Sequence, residues 1–179
     1  MSVITDYKLA TYYSLWYHDL NDNNWSLNSY TKITEIYSIR DFWSIYKSIE
    51  NFLNGIFFLM RENIPPVWES AENLNGGYWT FKINNDILMD SWVYLSIQCI
   101  TQNLIKIDQN SNNEHQINGL SISPKQGNSI IKIWNNKIKF NDPKLLDINV
   151  EKFDMSMSFY RAHKQHKDVL KKINSSVKL

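Results

Sequence analysis

The chain has 179 residues, of which 43% are hydrophobic and 14% aromatic, and its formal net charge is +1. This length fits one domain with a core of its own, and a charge so close to zero excludes binding that depends on a basic surface over the whole molecule. The single cysteine, Cys99, excludes an intramolecular disulfide bond and a zinc site built from cysteines. No apolar run reaches membrane-spanning length and the N-terminus lacks a signal-peptide core, so we expect a cytoplasmic protein without membrane contact.

The N-terminal part of the chain predicts two strands on either side of a turn. Residues 1–8 are expected to form a flexible tail, and residues 9–179 a single domain. The segments 12–17 and 30–37 have the aromatic and alternating composition of strands. The polar turn between them leaves Trp25 on a loop. Because seven tryptophans exceed what a core of this size usually needs, we expect some of them to serve as stacking surfaces.

A helix is predicted to follow the second strand. Ser38 and Asp41 have the spacing of a capping box, with Asp in place of the usual Glu. The next apolar side chains fall on one side of such a helix: Phe42, Ile45, Tyr46 and Ile49. Trp43 lies off this side, so the pattern predicts that it faces away from the core.

The middle of the chain predicts two more strands, at 56–62 and 77–83, and a second helix over about 87–102. This helix has two apolar stripes. One consists of Leu88, Trp92, Leu95 and Cys99, and the other of Val93, Ile97 and Ile100. A helix that is apolar on two sides is either enclosed in a core or offers its outer stripe to a partner.

The loop between these two strands carries the most unusual side chains. Pro65 and Pro66 hold the backbone extended, so that Trp68 and Glu69 emerge from a stiff segment. An indole beside a carboxylate can cover the face of a planar cation and accept hydrogen bonds at its edge. The alternative is a tryptophan folded back onto the core, with Glu69 in solvent.

The second half of the chain is expected to complete an antiparallel sheet. It predicts, in order, a strand from Ile105 to Asp108, a hairpin of strands 120–123 and 130–134, a short helical stretch from Asp142 to about Phe153, a strand at 155–160 and a basic tail at 164–179. Within the hairpin, the period of two places Lys132 and Trp134 on the same face. Strands with helices inserted between hairpins indicate an α+β class with one domain.

Most sequence signatures of enzymes are absent. The sequence contains no phosphate-binding glycine loop and no nucleophile elbow, and Cys99 lies on an apolar helix face, where an inert core thiol is expected. His163 and His166 have a spacing that could bind a metal together with His115, but nothing in the sequence fixes His115 beside them as the third ligand. We therefore predict no catalytic residue, no metal and no cofactor.

The order of several short segments resembles the eukaryotic translation initiation factor 4E family, which binds the 7-methylguanosine cap of messenger RNA. The matching segments are Leu15-Trp16-Tyr17, Asn24-Trp25-Ser26, Asp41-Phe42-Trp43-Ser44-Ile45-Tyr46, Pro66-Val67-Trp68-Glu69, Gly76-Gly77-Tyr78-Trp79, Trp92-Val93, Ile131-Lys132-Ile133-Trp134 and Tyr160-Arg161-Ala162-His163. The resemblance implies a curved antiparallel sheet of about eight strands that is backed by two long helices and a shortened third. It also implies a monomer that binds cap on the concave face of the sheet and partner proteins on the helical back.

The resemblance assigns the base of the cap to four residues. Trp25 and Trp68 are similar to the two rings that sandwich 7-methylguanine, whose positive charge gains cation–π energy between two indoles. Glu69 is similar to the carboxylate that accepts the N–H donors of guanine, and Trp134 to the tryptophan that touches the methyl group.

The phosphate-binding residues differ from the family pattern. The family usually has an arginine where this chain has Tyr78, and a lysine where it has Ile130. Four lysines are expected to bind the phosphates: Lys125 on the hairpin, which aligns with a phosphate-binding arginine of the family, Lys132, which can reach the same anions, and Lys164 and Lys167, which close over the cap from the tail.

The helical back is expected to bind a scaffold or repressor protein with a Tyr-x-x-x-x-Leu-Φ motif. The implied contact residues are Tyr7, Ile39, Trp43, Val93, Tyr94 and Ile97. Tyr94 replaces an acidic residue of the family and Tyr7 a histidine. The resemblance therefore implies a cap-binding initiation factor that recruits a scaffold. Two alternatives stay open: a repressor or decoy that binds cap without recruitment, and a scaffold-only relative that no longer binds cap.

Overall fold

The computed structural model describes residues 6–49, 51–106, 116–148, 153 and 158–164. These residues form one curved antiparallel sheet with the two longer helices against one face. In the described part of the chain the sheet has seven strands, in the order β2-β1-β3-β5-β6-β4-β7, where about eight were expected. The strands are β1 Lys8–His18, β2 Tyr30–Ser38, β3 Ile56–Arg61, β4 Gly77–Asn84, β5 Ile117–Pro124, β6 Asn128–Asn135 and β7 Phe159–Ala162.

The described residues include three α-helices: α1 Ile39–Ser48, α2 Ala71–Leu74 and α3 Leu88–Ile100. The predicted start of α1 is confirmed, because the Ser38 hydroxyl accepts a hydrogen bond from the backbone N–H of Asp41 at 3.1 Å. The Asp41 carboxylate in turn accepts from the backbone N–H of Tyr37 at 3.0 Å, one residue before the cap. None of the described helices combines the length and the apolarity that a membrane span requires.

The back face of the sheet and the helices enclose the main hydrophobic core. Trp79 and Phe81 point into it from β4, and Trp92 points into it from α3. The hydroxyl of Tyr46 on α1 donates to Ser96 Oγ on α3 at 2.8 Å, so the two longer helices are joined by a buried hydrogen bond as well as by apolar contact. The helices therefore cover the back face of the sheet. The side chains at the alternate strand positions point to the opposite, front face.

A close backbone contact and a buried asparagine fix the edge of the sheet where β7 joins β4. A Cβ added to Gly77 would lie 2.3 Å from the carbonyl oxygen of Arg161, so only glycine allows the two strands to come this close. The buried Asn135 side chain binds the same edge, because its Oδ1 accepts from the backbone N–H of Gly77 at 3.0 Å and from the Tyr160 hydroxyl at 2.8 Å. This arrangement sets the register that places Arg161 opposite Tyr78.

Several predicted elements differ from those observed. β1 begins at Lys8, within the segment expected to be a tail, and pairs there with Ser38. Ile105 forms an isolated bridge to Leu146, and the second half of the strand predicted from Ile105 to Asp108 lies outside the described residues. Of the helical stretch predicted from Asp142 to about Phe153, the described part contains a 3-10 turn, Pro143–Leu145, and residues 149–152 lie outside the described residues. The short helix α2 was not predicted.

The last strand, β7, is described from Phe159 to Ala162, and most of the segment 155–160 predicted for it lies outside the described residues. Ile100 was assigned to the outer stripe of α3, but it is buried in the core. The metal-binding hypothesis on His115 and His166 lies outside the described residues.

Candidate functional site

A second, smaller apolar cluster covers the front face of the sheet, opposite the helices. We call it the front cluster, and its buried members are Ile56, Phe58, Met60, Ile64, Tyr78 and Trp134. Trp16, Tyr30 and Trp68 pack against it and are only partly buried. A partly exposed aromatic surface on an otherwise polar face is typical of a binding site for a flat ligand.

Trp134 lies at the floor of this surface. Its ring is 5% exposed, and its Nε1–H donates to the Ser121 hydroxyl on the neighbouring strand at 3.0 Å. The rings of Tyr78 and His163 lie 6.1 Å and 4.9 Å from it, measured between centroids. The indole is thus held in one orientation by its neighbours.

The loop that carries Trp68 and Glu69 is held from behind by a buried asparagine pair. The Asn73 side chain donates to the carbonyl oxygens of Pro65 at 3.0 Å and Val67 at 2.9 Å. Asn118 on β5 donates to the Asn73 side-chain oxygen at 2.9 Å. These bonds tie both ends of the loop to the sheet, so that Trp68 packs on the front cluster and Glu69 stays exposed.

Trp25 occupies a different kind of loop. Its ring is 52% exposed and stacks on His18, with centroids 4.3 Å apart and ring planes within 4° of parallel. His18 is itself buried, and its Nε2 lies 2.8 Å from the carbonyl oxygen of Asn24. The stacked histidine therefore fixes one face of the indole, while much of the ring remains open to solvent.

Tyr30 links the two loops. Its ring lies 6.4 Å from that of Trp25 and 5.3 Å from that of Phe58, which belongs to the front cluster. Burial, and to a smaller extent the nearby Glu69 carboxylate, raises the pKa of the Tyr30 hydroxyl above its ordinary value. The Trp25 loop and the Glu69 loop therefore approach the same tyrosine on the front face.

A group of cations lies beside Trp134 on the same face. Lys132 Nζ lies 4.5 Å from the centre of the Tyr78 ring, and Arg161 stands directly opposite Tyr78 on β7. Burial lowers the pKa of Lys132, and the positive charges of Arg161 and Lys125 lower it further. None of the ion pairs found among the described residues involves any of these three cations. They repel one another, so an anion bound between them would be stabilised.

The remaining predicted phosphate ligands are less well defined. Lys125 lies at the exposed tip of the β5–β6 hairpin, where its carbonyl oxygen accepts a hydrogen bond of 3.5 Å from Asn85. Lys164 is exposed just after β7, and Lys167 lies outside the described residues. Ile130 points to the same face of the sheet as Lys132, but it is uncharged and cannot bind a phosphate.

The predicted partner-binding residues lie on the opposite side of the molecule. Trp43 is 41% exposed on α1 and makes an edge contact with the core residue Phe42, at 5.1 Å between ring centroids. Tyr7 is 69% exposed, and its carbonyl oxygen accepts from the backbone N–H of Ile39 at 3.0 Å. On α3, three residues are partly buried beside this surface: Val93, Tyr94 and Ile97.

Three residues of the front face were not predicted from the sequence. His18 and Tyr30 stand opposite each other on β1 and β2, and Arg161 stands next to Tyr78 on β7. The alternation of side chains along a strand predicts which face of the sheet each residue points to. It does not predict which strands lie next to each other, so these three residues could not be assigned to one site.

Comparison with known proteins points to one family. The family profile described as Eukaryotic initiation factor 4E matches residues 8–178. Eukaryotic translation initiation factor 4E of Eremothecium gossypii is 29% identical over 154 residues, which cover 77% of this chain and 70% of that protein. Eukaryotic translation initiation factor 4E1 of Drosophila melanogaster is 29% identical over 178 residues, covering 95% and 66% respectively. The chain thus spans about two thirds of the length of these relatives.

A solved structure shows the same fold. Caenorhabditis elegans eIF4E-3, in complex with the 4E-binding protein Mextli and a cap analogue, superimposes with a TM-score of 0.74. The two chains are 21% identical, and the match covers 92% of this chain and 96% of the other.

Proposed function

The chain belongs to the eukaryotic initiation factor 4E family, and on this premise we propose that it binds the 7-methylguanosine cap of messenger RNA on its front face and a scaffold protein on its helical back. It acts by binding rather than by catalysis, and it does so in the cytoplasm, where messenger RNA is translated.

The observation that carries this proposal is the meeting of two loops at one partly exposed aromatic face. Trp25 and Glu69 both approach Tyr30, and Trp68 packs on the cluster that contains Trp134. Aromatic faces, an exposed carboxylate and adjacent cations together match the three parts of a cap: a cationic base, the hydrogen-bond donors at its edge, and the phosphates.

The two kinds of side chain recognise different properties of the base. Glu69 accepts hydrogen bonds from the N1–H and N2–H donors, which unmodified guanine also presents. Trp25 and Trp68 stack on the ring, and the positive charge added by methylation strengthens this stacking through a cation–π term. The carboxylate therefore selects guanine, and the indoles select the methylated form.

The phosphates are bound by Lys132, Arg161 and Lys125. Lys132 is held against the Tyr78 ring and points along the face that contains Trp134, so it reaches the phosphates next to the base. Arg161 supplies a guanidinium beside Tyr78, the position at which the resemblance expected an arginine. The charge is thus provided from the neighbouring strand.

The exposed Trp43 and the outer residues of α3 favour the initiation-factor role over a scaffold-free decoy, because an accessible tryptophan on the helical back is what a partner helix would cover. The front-face arrangement likewise favours cap binding over a scaffold-only role.

Retention on immobilised 7-methyl-GTP tests the proposed function. We expect the chain to be retained, to be eluted by free 7-methyl-GTP and to stay bound in the presence of the same concentration of GTP, because GTP lacks the cationic ring. Passage through the resin without retention, or equal elution by GTP, would contradict cap binding.

Removing the charge of Lys132 should weaken phosphate binding selectively. Lys132→Met keeps the aliphatic stem that lies on Tyr78, so the expected loss is electrostatic. We expect weaker binding of 7-methyl-GTP, a flatter dependence of its affinity on salt, and little change for the uncharged nucleoside 7-methylguanosine. Titrations at several salt concentrations measure this. Lys47→Met, an exposed lysine on α1, is the matched control. An unchanged salt slope in Lys132→Met would place the phosphates elsewhere.

A further inference from the structure

Phe159 is an exposed aromatic residue next to the proposed phosphate site. Its side chain is 55% exposed at the start of β7, the edge strand of the sheet. The neighbouring Tyr160 turns inward, where its ring packs edge-on against the core residue Trp79 at 5.2 Å between centroids. Because side chains alternate along a strand, Phe159 and Arg161 both point to the front face.

The register places Phe159 in one row with two polar groups. Thr80 on β4 pairs with Phe159 on one side and with Lys132 on the other. Two strand spacings therefore separate Lys132 from Phe159, a distance of about 10 Å. Arg161 is two residues from Phe159 on the same face, about 7 Å along the strand.

Thr80, which lies between Lys132 and Phe159, has an unusual buried hydroxyl. Thr80 is 6% exposed, and its hydroxyl has no hydrogen-bond partner among the described residues. A buried hydroxyl without a partner is costly, and a ligand that lies over it can supply the missing bond. An exposed ring beside two cations and an unpaired hydroxyl combines the features that bind single-stranded nucleic acid, namely a stacking surface and positive charge along the backbone path.

We propose that Phe159 is a stacking surface for the base of the first nucleotide that follows the cap triphosphate. This inference rests on the proposed function, since it continues the ligand from the phosphates at Lys132 and Arg161 to the edge of the sheet. The occupant is a nucleoside joined to the cap rather than an apolar peptide, because the ring shares its face of the sheet with the cations Lys132 and Arg161. Stacking does not depend on the hydrogen-bonding groups of a base. The site therefore accepts any base and favours purines because their rings are larger.

Two ligands that differ by one nucleoside test this proposal. The first is 7-methyl-GTP, and the second is the cap dinucleotide in which the triphosphate continues into adenosine. In Phe159→Ala we expect the dissociation constant for 7-methyl-GTP to stay within about twofold and that for the dinucleotide to rise about fivefold or more. Phe159→Trp, which keeps an exposed ring, should bind the dinucleotide as well as the unaltered chain does.

The control is Tyr37→Ala, which removes an aromatic residue of similar exposure, 46%, from the opposite edge strand β2. It should leave both affinities unchanged. Equal affinity of Phe159→Ala and the unaltered chain for the dinucleotide would overturn the inference, and so would an equal loss for both ligands, which would mean that Phe159 supports the cap pocket instead. If the unaltered chain fails to bind 7-methyl-GTP at all, the proposed function itself is overturned, which separates the two failures.

Discussion

Replacing Trp68 with alanine is expected to weaken binding of 7-methyl-GTP by about 1–3 kcal/mol, the contribution of one aromatic stacking partner. The same change should reduce the preference for 7-methyl-GTP over GTP, since the cation–π term that distinguishes the two ligands depends on the indole face. Titration of both nucleotides by calorimetry measures the two effects, and Trp68→Phe should recover part of the affinity because it restores a ring.

Trp68 also packs on the front cluster, so its removal could disturb the site indirectly. Trp25→Ala provides the comparison, because Trp25 is half exposed and its loss removes little buried surface. A sandwich requires that both variants lose affinity and selectivity together, with little change in melting temperature for Trp25→Ala. Affinity within twofold of the unaltered chain in either variant would contradict the sandwich.

Replacing Trp43 with alanine is expected to remove measurable binding of a Tyr-x-x-x-x-Leu-Φ peptide and to leave 7-methyl-GTP binding unchanged. An exposed tryptophan at the centre of an interface commonly contributes about 2 kcal/mol or more. The two sites lie on opposite faces of one sheet, so the variant should separate them. Peptide titration by fluorescence anisotropy, with and without saturating 7-methyl-GTP, measures both.

Leu20→Ala is the control for the loss of an exposed apolar side chain, since Leu20 has similar exposure, 43%, in the turn after β1. It should bind the peptide normally. If Trp43→Ala instead lowers the melting temperature strongly and weakens cap binding too, then Trp43 contributes to the core. If the peptide still binds at full strength, the partner surface lies elsewhere.

Features that depend on neighbouring residues in the sequence could be predicted. The start of α1 follows from Ser38 and Asp41, whose hydrogen bond spans three residues. The β5–β6 hairpin follows from alternation on both sides of a short turn, and this places Lys132 and Trp134 on one face as expected. The exposure of Trp43 was likewise implied by its position off the apolar side of its helix.

Features that depend on distant parts of the chain could not be predicted in this way. Ile105 forms an isolated bridge with Leu146, and no local pattern indicates that these two distant residues pair. The arginine beside Tyr78 comes from β7, and no local pattern shows that β7 pairs with β4. His18 was overlooked for the same reason, because its stacking on Trp25 exists only once the turn after β1 folds back.

The buried asparagine pair behind the Trp68 loop has a consequence for how the two indoles contribute to affinity. Asn73 and Asn118 fix the loop during folding, so its conformational entropy is lost before any ligand arrives. The Trp25 loop is held mainly by a stacked histidine and short turns, and ordering its exposed ring against a ligand costs rotational freedom at the moment of binding. Of two chemically equal rings, the one anchored by asparagines therefore gives more of its stacking energy to binding.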